Sequence, residues 1–307
     1  MRAGVTLEEA SGSRPEPATR AKALAELRSR LERAGVSSPD AEAEWLLLRA
    51  LGIVRSAFWS EPRAPLRPEE AVALDALASR RERREPLQHL LGEVPFHEAT
   101  LSVEPGVFIP RPETELLVEA VLAALRAGDP TRGRLIDWGT GTGAIAIALL
   151  KALPAWTAVA ADRSRAALDL ALRNAVSNGV SNRLRLLEAD FAAPGAPTLP
   201  DAPFDLVVSN PPYVRRGDLS GLMPEVRDHD PPEALDGGED GLDAHRQLAR
   251  GLGSWLRPGG LLALEIGAGQ ADEVLGLFGA SIQGARVLPD RAGLPRIVMG
   301  TMRGQRR

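Results

Sequence analysis

The sequence predicts an α/β protein: a seven-stranded, mostly parallel sheet, preceded by a small N-terminal helical bundle and a hairpin linker. Three observations predict it. Helical periodicity with no strand pattern fills residues 19 to 86. From Arg134 onward, short apolar runs of strand type alternate with helical patterns, which implies βαβ units. A glycine-rich turn, Gly139-Thr140-Gly141-Thr142-Gly143, follows the first of those strands and opens the next helix.

Residues 1–18 are polar and carry Pro15 and Pro17, so a disordered tail is expected there. Leu24, Leu27 and Leu31 lie at helical spacing between Ala18 and Ala34, and Gly35 is a natural stop. Ser38 as cap and Pro39 at the first position open a second helix, which carries Trp45, Leu48 and Leu51 and stops at Gly52. Pro68 opens a third, with Val72, Leu74 and Leu77 on its inner side. That helix ends in Arg80-Arg81-Glu82-Arg83-Arg84, which reads either as a docking patch or as a solvated last turn whose cations complement the helix dipole. Residues 19–86 are thus expected to form a small helical bundle, and a substrate-docking role for it goes with the docking reading of that run. Residues 87–106 alternate apolar and polar positions around Gly92 and Pro95 and predict a hairpin linker.

In the remaining stretch, 107–307, strands are expected at Arg134–Asp137, Thr157–Ala161, Arg183–Glu188, Phe204–Ser209, Leu261–Ile266, Ala285–Leu288 and Arg296–Thr301. Helices are expected at Ala144–Leu153, Arg165–Asn178, Gly241–Leu256 and Gln270–Phe278, with Ser164 capping the second. The polar segment from Met223 to Asp243, rich in Pro and Gly, reads as a movable cover on the substrate side.

Composition excludes several classes. The 307 residues are 44% hydrophobic and 25% charged with no cysteine, so disulfides, thiolate metal sites and a thiol nucleophile are out. A net charge of -4 offers no general attraction to nucleic acid. No apolar run reaches the roughly 20 residues that span a bilayer, and the start lacks a secretory pattern, so the cytoplasm is expected. Asp228, His229 and Asp230 are three ligand types in a row, which rarely share one face, and no metal is expected.

The chemistry concentrates at strand ends. The run Phe204-Asp205-Leu206-Val207-Val208-Ser209 stops at Asn210-Pro211-Pro212-Tyr213, because neither proline has an N–H to extend the ladder. Strand carboxyl ends are where ligands bind in open α/β sheets. The Asn210 side-chain carbonyl, the Pro211 backbone carbonyl and the Tyr213 ring suit a planar group bearing an NH2. The glycine turn is spaced G-x-G-x-G behind Asp137, unlike a dinucleotide fingerprint, and no phosphate-binding Lys follows. Asp162, at the next strand end, reads as a ribose ligand or a helix cap. Asp190 can accept from an adenine amino group with Phe191 flanking the ring. Arg111 is held extended between Pro110 and Pro112, in a substrate-facing segment or a simple turn.

Taken in order, Ile109-Pro110-Arg111-Pro112-Glu113-Thr114-Glu115, Asp137 to Gly143, Asn210 to Tyr213, and Asp230-Pro231 to Gly241 resemble the peptide chain release factor glutamine methyltransferase family of class I S-adenosylmethionine methyltransferases. The likeness spans about residues 19 to 302. It implies a Rossmann-like methyltransferase sheet and S-adenosylmethionine as cofactor, held by Gly139, Thr140, Gly141, Thr142, Gly143, Asp162, Phe191 and Asn210. It also implies a glutamine held by Asn210, Pro211, Pro212 and Tyr213, in a monomer acting on release factors. Trp138 departs from the family, which usually has a smaller aliphatic residue there. Three alternatives stay open: glutamine methylation of a ribosomal protein, adenine amino methylation on nucleic acid, which needs a basic cleft and a flipped base, and an inactive adaptor using the Arg80–Arg84 run.

Overall fold

The computed structural model describes residues 18–128, 132–190, 199 and 201–304. The tail expected over 1–18 therefore lies outside it, apart from Ala18. The chain divides into two compact units, one ending at Leu90 and one beginning at Leu91.

The first unit is helical: α1 (Arg20–Arg33), α2 (Pro39–Leu51), α3 (Arg55–Ser60) and α4 (Pro68–Glu82), with α5 (Leu87–Leu91) at its end. Its core gathers Leu27, Leu31, Leu46, Leu47, Phe58 and Ala78, all essentially inaccessible. Pro39 starts α2 as expected, and Gly52 ends it at φ 63, but Ser38 makes no capping bond with its side chain. The inner faces differ from the expected ones in part. Leu74 is buried as expected, but Val72 and Trp45 are mostly exposed, and Ala78, Leu46 and Leu47 point inward. The arginine run is engaged inside the bundle. Arg81 is buried on Glu42 at 2.5 Å, Arg84 donates to the Ala34 and Gly35 carbonyls at the end of α1, and Arg80 pairs with Glu85. These contacts tie Arg80, Arg81 and Arg84 to the bundle, while Arg83 is exposed.

The second unit opens with a hairpin, β1 (Glu93–Phe96) and β2 (Ala99–Ser102). Residues 87–91, expected in the hairpin linker, form helix α5: Leu87, His89 and Leu91 alternate in sequence, yet the Pro86 carbonyl accepts from the His89 and Leu90 amides. Then follow α6 (Pro112–Gly128), β3 (Gly133–Trp138), α7 (Ala144–Ala152), β4 (Trp156–Asp162), α8 (Arg165–Ser177), β5 (Leu184–Glu188) and β6 (Phe204–Ser209). The remainder is α9 (Pro224–Arg227), α10 (Asp243–Trp255), β7 (Leu256–Glu265), α11 (Ala271–Phe278), β8 (Ile282–Pro289) and β9 (Pro295–Met302).

Seven strands form one sheet in the order β5-β4-β3-β6-β7-β9-β8, with β9 antiparallel to both neighbours and the other pairs parallel. Such a sheet is buried on both faces, which explains the nearly continuous apolar strands. One face packs on α6 and α7 through Leu117, Val121, Ile147 and Leu150. The other packs on α10 and α11 through Leu248, Trp255, Val274 and Phe278. The chain winds outward from β3 to β5 and then returns to β6 on the other side of β3. That reversal is the switch point, and the cleft opens there.

Candidate active site

Register brings the chemistry-bearing strand ends level. Asp137 sits beside Ala160 and Val208, and Ser209 sits beside Leu264. The Ser209 hydroxyl donates to the Trp138 carbonyl at 2.6 Å and ties the β6 end to the β3 end. Above these ends lies a cleft of about 1160 Å³.

Gly139, Thr140, Gly141 and Thr142 form one wall of the cleft. Gly139 and Gly141 take φ of 71 and 54, where an L side chain is strained, and a Cβ on either would project into open space. A ligand can therefore approach this backbone closely. Gly143, expected to share that role, faces the other way. Its Cβ would meet Ile147 and Ala171, so it lets α7 and α8 pack closely. Buried Asn174 steadies the turn from below by donating to the Thr142 carbonyl at 3.0 Å.

Asp162 reaches the cleft while doing two structural jobs. Its oxygens accept from the Gly141 amide and the Ser164 amide, each at 2.9 Å. It thus holds the glycine turn and the segment leading into α8, and it lines the cleft. Ser164 caps α8 as expected, accepting from Ala167. Asp190 also lines the cleft, whereas Phe191 lies outside the described residues. Trp138 is buried in the sheet core with one edge on the cleft.

Beneath the turn, Asp137 is fully buried. One oxygen accepts from the Thr140 hydroxyl at 2.7 Å and the Ala146 amide at 3.2 Å; the other has no partner among the described residues. Burial raises this carboxyl to about 6, against those two hydrogen bonds.

Asn210, Pro211, Pro212 and Tyr213 line the same cleft. The Asn210 side-chain NH2 donates to the Thr114 hydroxyl at 3.0 Å. That hydroxyl donates to Glu265 at 2.7 Å, and the Tyr213 hydroxyl donates to the other Glu265 oxygen at 3.1 Å. Burial raises the Tyr213 hydroxyl well above the usual phenol range, with the Glu265 carboxylate adding to it. Tyr213, expected among the catalytic residues, lines the cleft with its hydroxyl anchored on Glu265.

Arg111 reaches the cleft, ion-paired with buried Asp230 and with its guanidinium 4.8 Å from the Phe108 ring centre. Asp228 pairs with its neighbour Arg227 instead. The cover segment contributes Pro231, Pro232 and Leu235 to the cleft. It is stitched to the lip, since Val214 donates to Leu235 and Gly237 donates to Val214. Gln270 adds a clamp, with its NH2 reaching the Tyr213 and Gly241 carbonyls.

Sequence reasoning missed Glu265, Gln270 and the role of Thr114. Glu265 carried a readable signal, an acid at the carboxyl end of a strand, as at Asp162. Thr114 carried none, since its partners lie 96 and 151 positions away.

A sheet of this order, with a glycine turn and an Asn-Pro-Pro-Tyr lip lining one cleft at the switch point, is the Rossmann-like methyltransferase fold, and the chain is a methyltransferase. Residues 98–223 match the methyltransferase small domain, and residues 22–92 match the PrmC N-terminal domain. The release factor glutamine methyltransferase of Geobacter sulfurreducens is 42% identical over 288 residues, covering 94% of this chain and 98% of that one. That of Moorella thermoacetica is 42% identical over 285 residues, covering 92% and 98%. That of Gloeobacter violaceus is 45% identical over 229 residues, covering 74% and 78%. The chain belongs to the release factor glutamine methyltransferase family. No helix among the described residues is long and apolar enough to cross a membrane.

Proposed function

We propose that this enzyme methylates the side-chain amide nitrogen of a glutamine in peptide chain release factors, using S-adenosylmethionine, as a cytoplasmic monomer. The observation that carries the reading is that the glycine turn and the Asn210–Tyr213 lip wall one cleft. The residues fit the cofactor: the Gly139–Gly141 backbone borders open space that a Cβ would fill, and acidic Asp162 and Asp190 stand at the neighbouring strand ends. Gly139, Thr140, Gly141, Thr142, Asp162 and Asp190 would hold it. When bound, it supplies an electrophilic methyl group on a sulfonium.

The lip handles the other reactant. An amide nitrogen is a poor nucleophile because its lone pair is delocalised into the carbonyl. Asn210 Oδ1 and the Pro211 carbonyl each accept one of its N–H groups, which orients the nitrogen. Both bonds strengthen as positive charge develops on nitrogen, so they favour the transition state over the ground state. Orientation for transfer supplies much of the remainder. No strong base is required first, because the alkylated nitrogen is acidic and releases its proton to water. Arg111, held by Asp230 beside the lip, would contact the polypeptide around the target.

The test is transfer of labelled methyl from the cofactor to release factor, ribosomal protein and oligonucleotide, each offered separately. Label is expected on a release factor glutamine. Label confined to ribosomal protein or oligonucleotide would overturn the assignment.

A further inference from the structure

We infer that Thr114 and Glu265 are positioning residues that set which end of the Asn210 carboxamide faces the substrate. The inference rests on the proposed reaction and deepens it. A carboxamide presents an acceptor at one end and a donor at the other, and rotation by 180° about its terminal bond exchanges them. Only the oxygen is useful toward a substrate NH2. Something in the fold must therefore select that rotamer, and the network behind the lip has the required polarity.

Glu265 stands at the carboxyl end of β7 and is 1% exposed; Thr114, in the first turn of α6, is 2% exposed. An ionised carboxylate accepts hydrogen bonds and donates none. Burial raises the Glu265 carboxyl above its usual range; the two hydroxyls, each donating to its own carboxylate oxygen, and nearby Arg296 act the other way and favour the ionised form. The two hydroxyls that touch Glu265, from Thr114 and Tyr213, must then both donate to it. A threonine hydroxyl has one proton. With that proton committed to Glu265, Thr114 can offer Asn210 only a lone pair, and the atom of Asn210 at 3.0 Å must be the NH2. Oδ1 is then turned toward the cleft that Asn210 lines. The same carboxylate holds Tyr213, so one buried charge orders the first and last residues of the lip. It also excludes the wrong substrate: a glutamate side chain would bring lone pairs against Oδ1 and the Pro211 carbonyl.

The test compares Thr114→Val, which keeps the shape and removes the hydroxyl, with Thr114→Ser, which keeps the hydroxyl. For Thr114→Val, kcat on a glutamine peptide is expected to fall about 10- to 100-fold, as for loss of a buried hydrogen-bond partner. Cofactor affinity should stay within about twofold, a change too small to signal lost binding energy. Thr114→Ser should restore most of kcat. A second readout needs no turnover: in 15N-labelled protein, solvent exchange of the Asn210 side-chain NH2 is expected to be slow in the wild type and in Thr114→Ser, and fast in Thr114→Val. Unchanged exchange in Thr114→Val, or wild-type kcat in that variant, would overturn the inference. Wild-type protein that leaves the peptide unmethylated would count against the reaction itself, while the exchange measurement would still decide the positioning role.

Discussion

At the scale of single residues, two side chains at neighbouring strand ends behave in opposite ways. Asn210 is held from behind by Thr114, lines the cleft and is proposed to act there. Replacing it with Ala removes one of the two acceptors proposed to grip the amide. In Asn210→Ala, kcat is expected to drop about 100- to 1000-fold, comparable to deleting one preorganised partner of a transition-state charge. Cofactor binding should persist in part, because the glycine turn and the acids stand on other strands; calorimetric titration with cofactor checks this, and near-normal turnover would remove Asn210 from the mechanism. Asp137, by contrast, acts inward. Its carboxyl is raised from the ordinary 3.8 to about 6 by burial. Between those values the folded chain keeps a proton that the unfolded chain has released. Its stabilising contribution is therefore complete below pH 3.8 and lost as the pH rises through about 6, by about 3 kcal/mol in all. Asp137→Asn keeps an oxygen for Thr140 and Ala146 but does not titrate. Urea unfolding of both proteins across this range should show the wild type losing stability relative to the variant as the pH rises. Parallel curves would mean that Asp137 titrates normally.

At the scale of elements, the turn between β3 and α7 separates binding from packing over five residues. The sequence made the turn visible, with its G-x-G-x-G spacing behind a strand. It could not assign the three glycines, because the assignment depends on what lies opposite each one. Gly139 faces open cleft, and Gly143 faces Ile147 and Ala171. Gly139→Ala should weaken cofactor binding about tenfold or more, with only the modest stability cost of a strained φ, about 1–2 kcal/mol. Gly143→Ala adds a collision with α8 to the same backbone strain and should lower the melting temperature further, while the folded fraction binds cofactor nearly normally. Melting curves beside equilibrium binding for the two variants distinguish the roles, and equal losses of affinity would merge them. The same limit on reading applies elsewhere. Strand and helix order from Arg134 onward was legible because apolar periodicity is a local signal. Residues 87–91 were read as strand because five residues sample too little of either period to separate them. Val72 was placed inward with Leu74 on an outline of helical spacing, whereas the packing of α4 keeps Leu74 and selects Ala78 in place of Val72.

At the scale of the whole molecule, the residues that wall the cleft run from Gly106 to Gln247, all in the second unit. The first unit has a core of its own, and a charge pair inside it gives a way to perturb that unit selectively. Arg81 is 3% exposed and rests on Glu42 between α4 and α2. Replacing Glu42 with Ala removes a carboxylate on which this buried guanidinium rests, which costs up to about 3–5 kcal/mol. The damage falls on the helical bundle and spares the glycine turn and the lip. If residues 19–86 dock the protein substrate, as the sequence leads one to expect, Glu42→Ala should bind cofactor with unchanged affinity. Its kcat and KM on a short glutamine peptide should also stay close to those of the wild type. On the intact release factor, KM should rise several-fold, because only the intact substrate reaches beyond the cleft to a second surface. An unchanged KM for the intact substrate, in a variant whose bundle is shown by limited proteolysis to be loosened, would remove the docking role. The activity would then rest on the second unit alone.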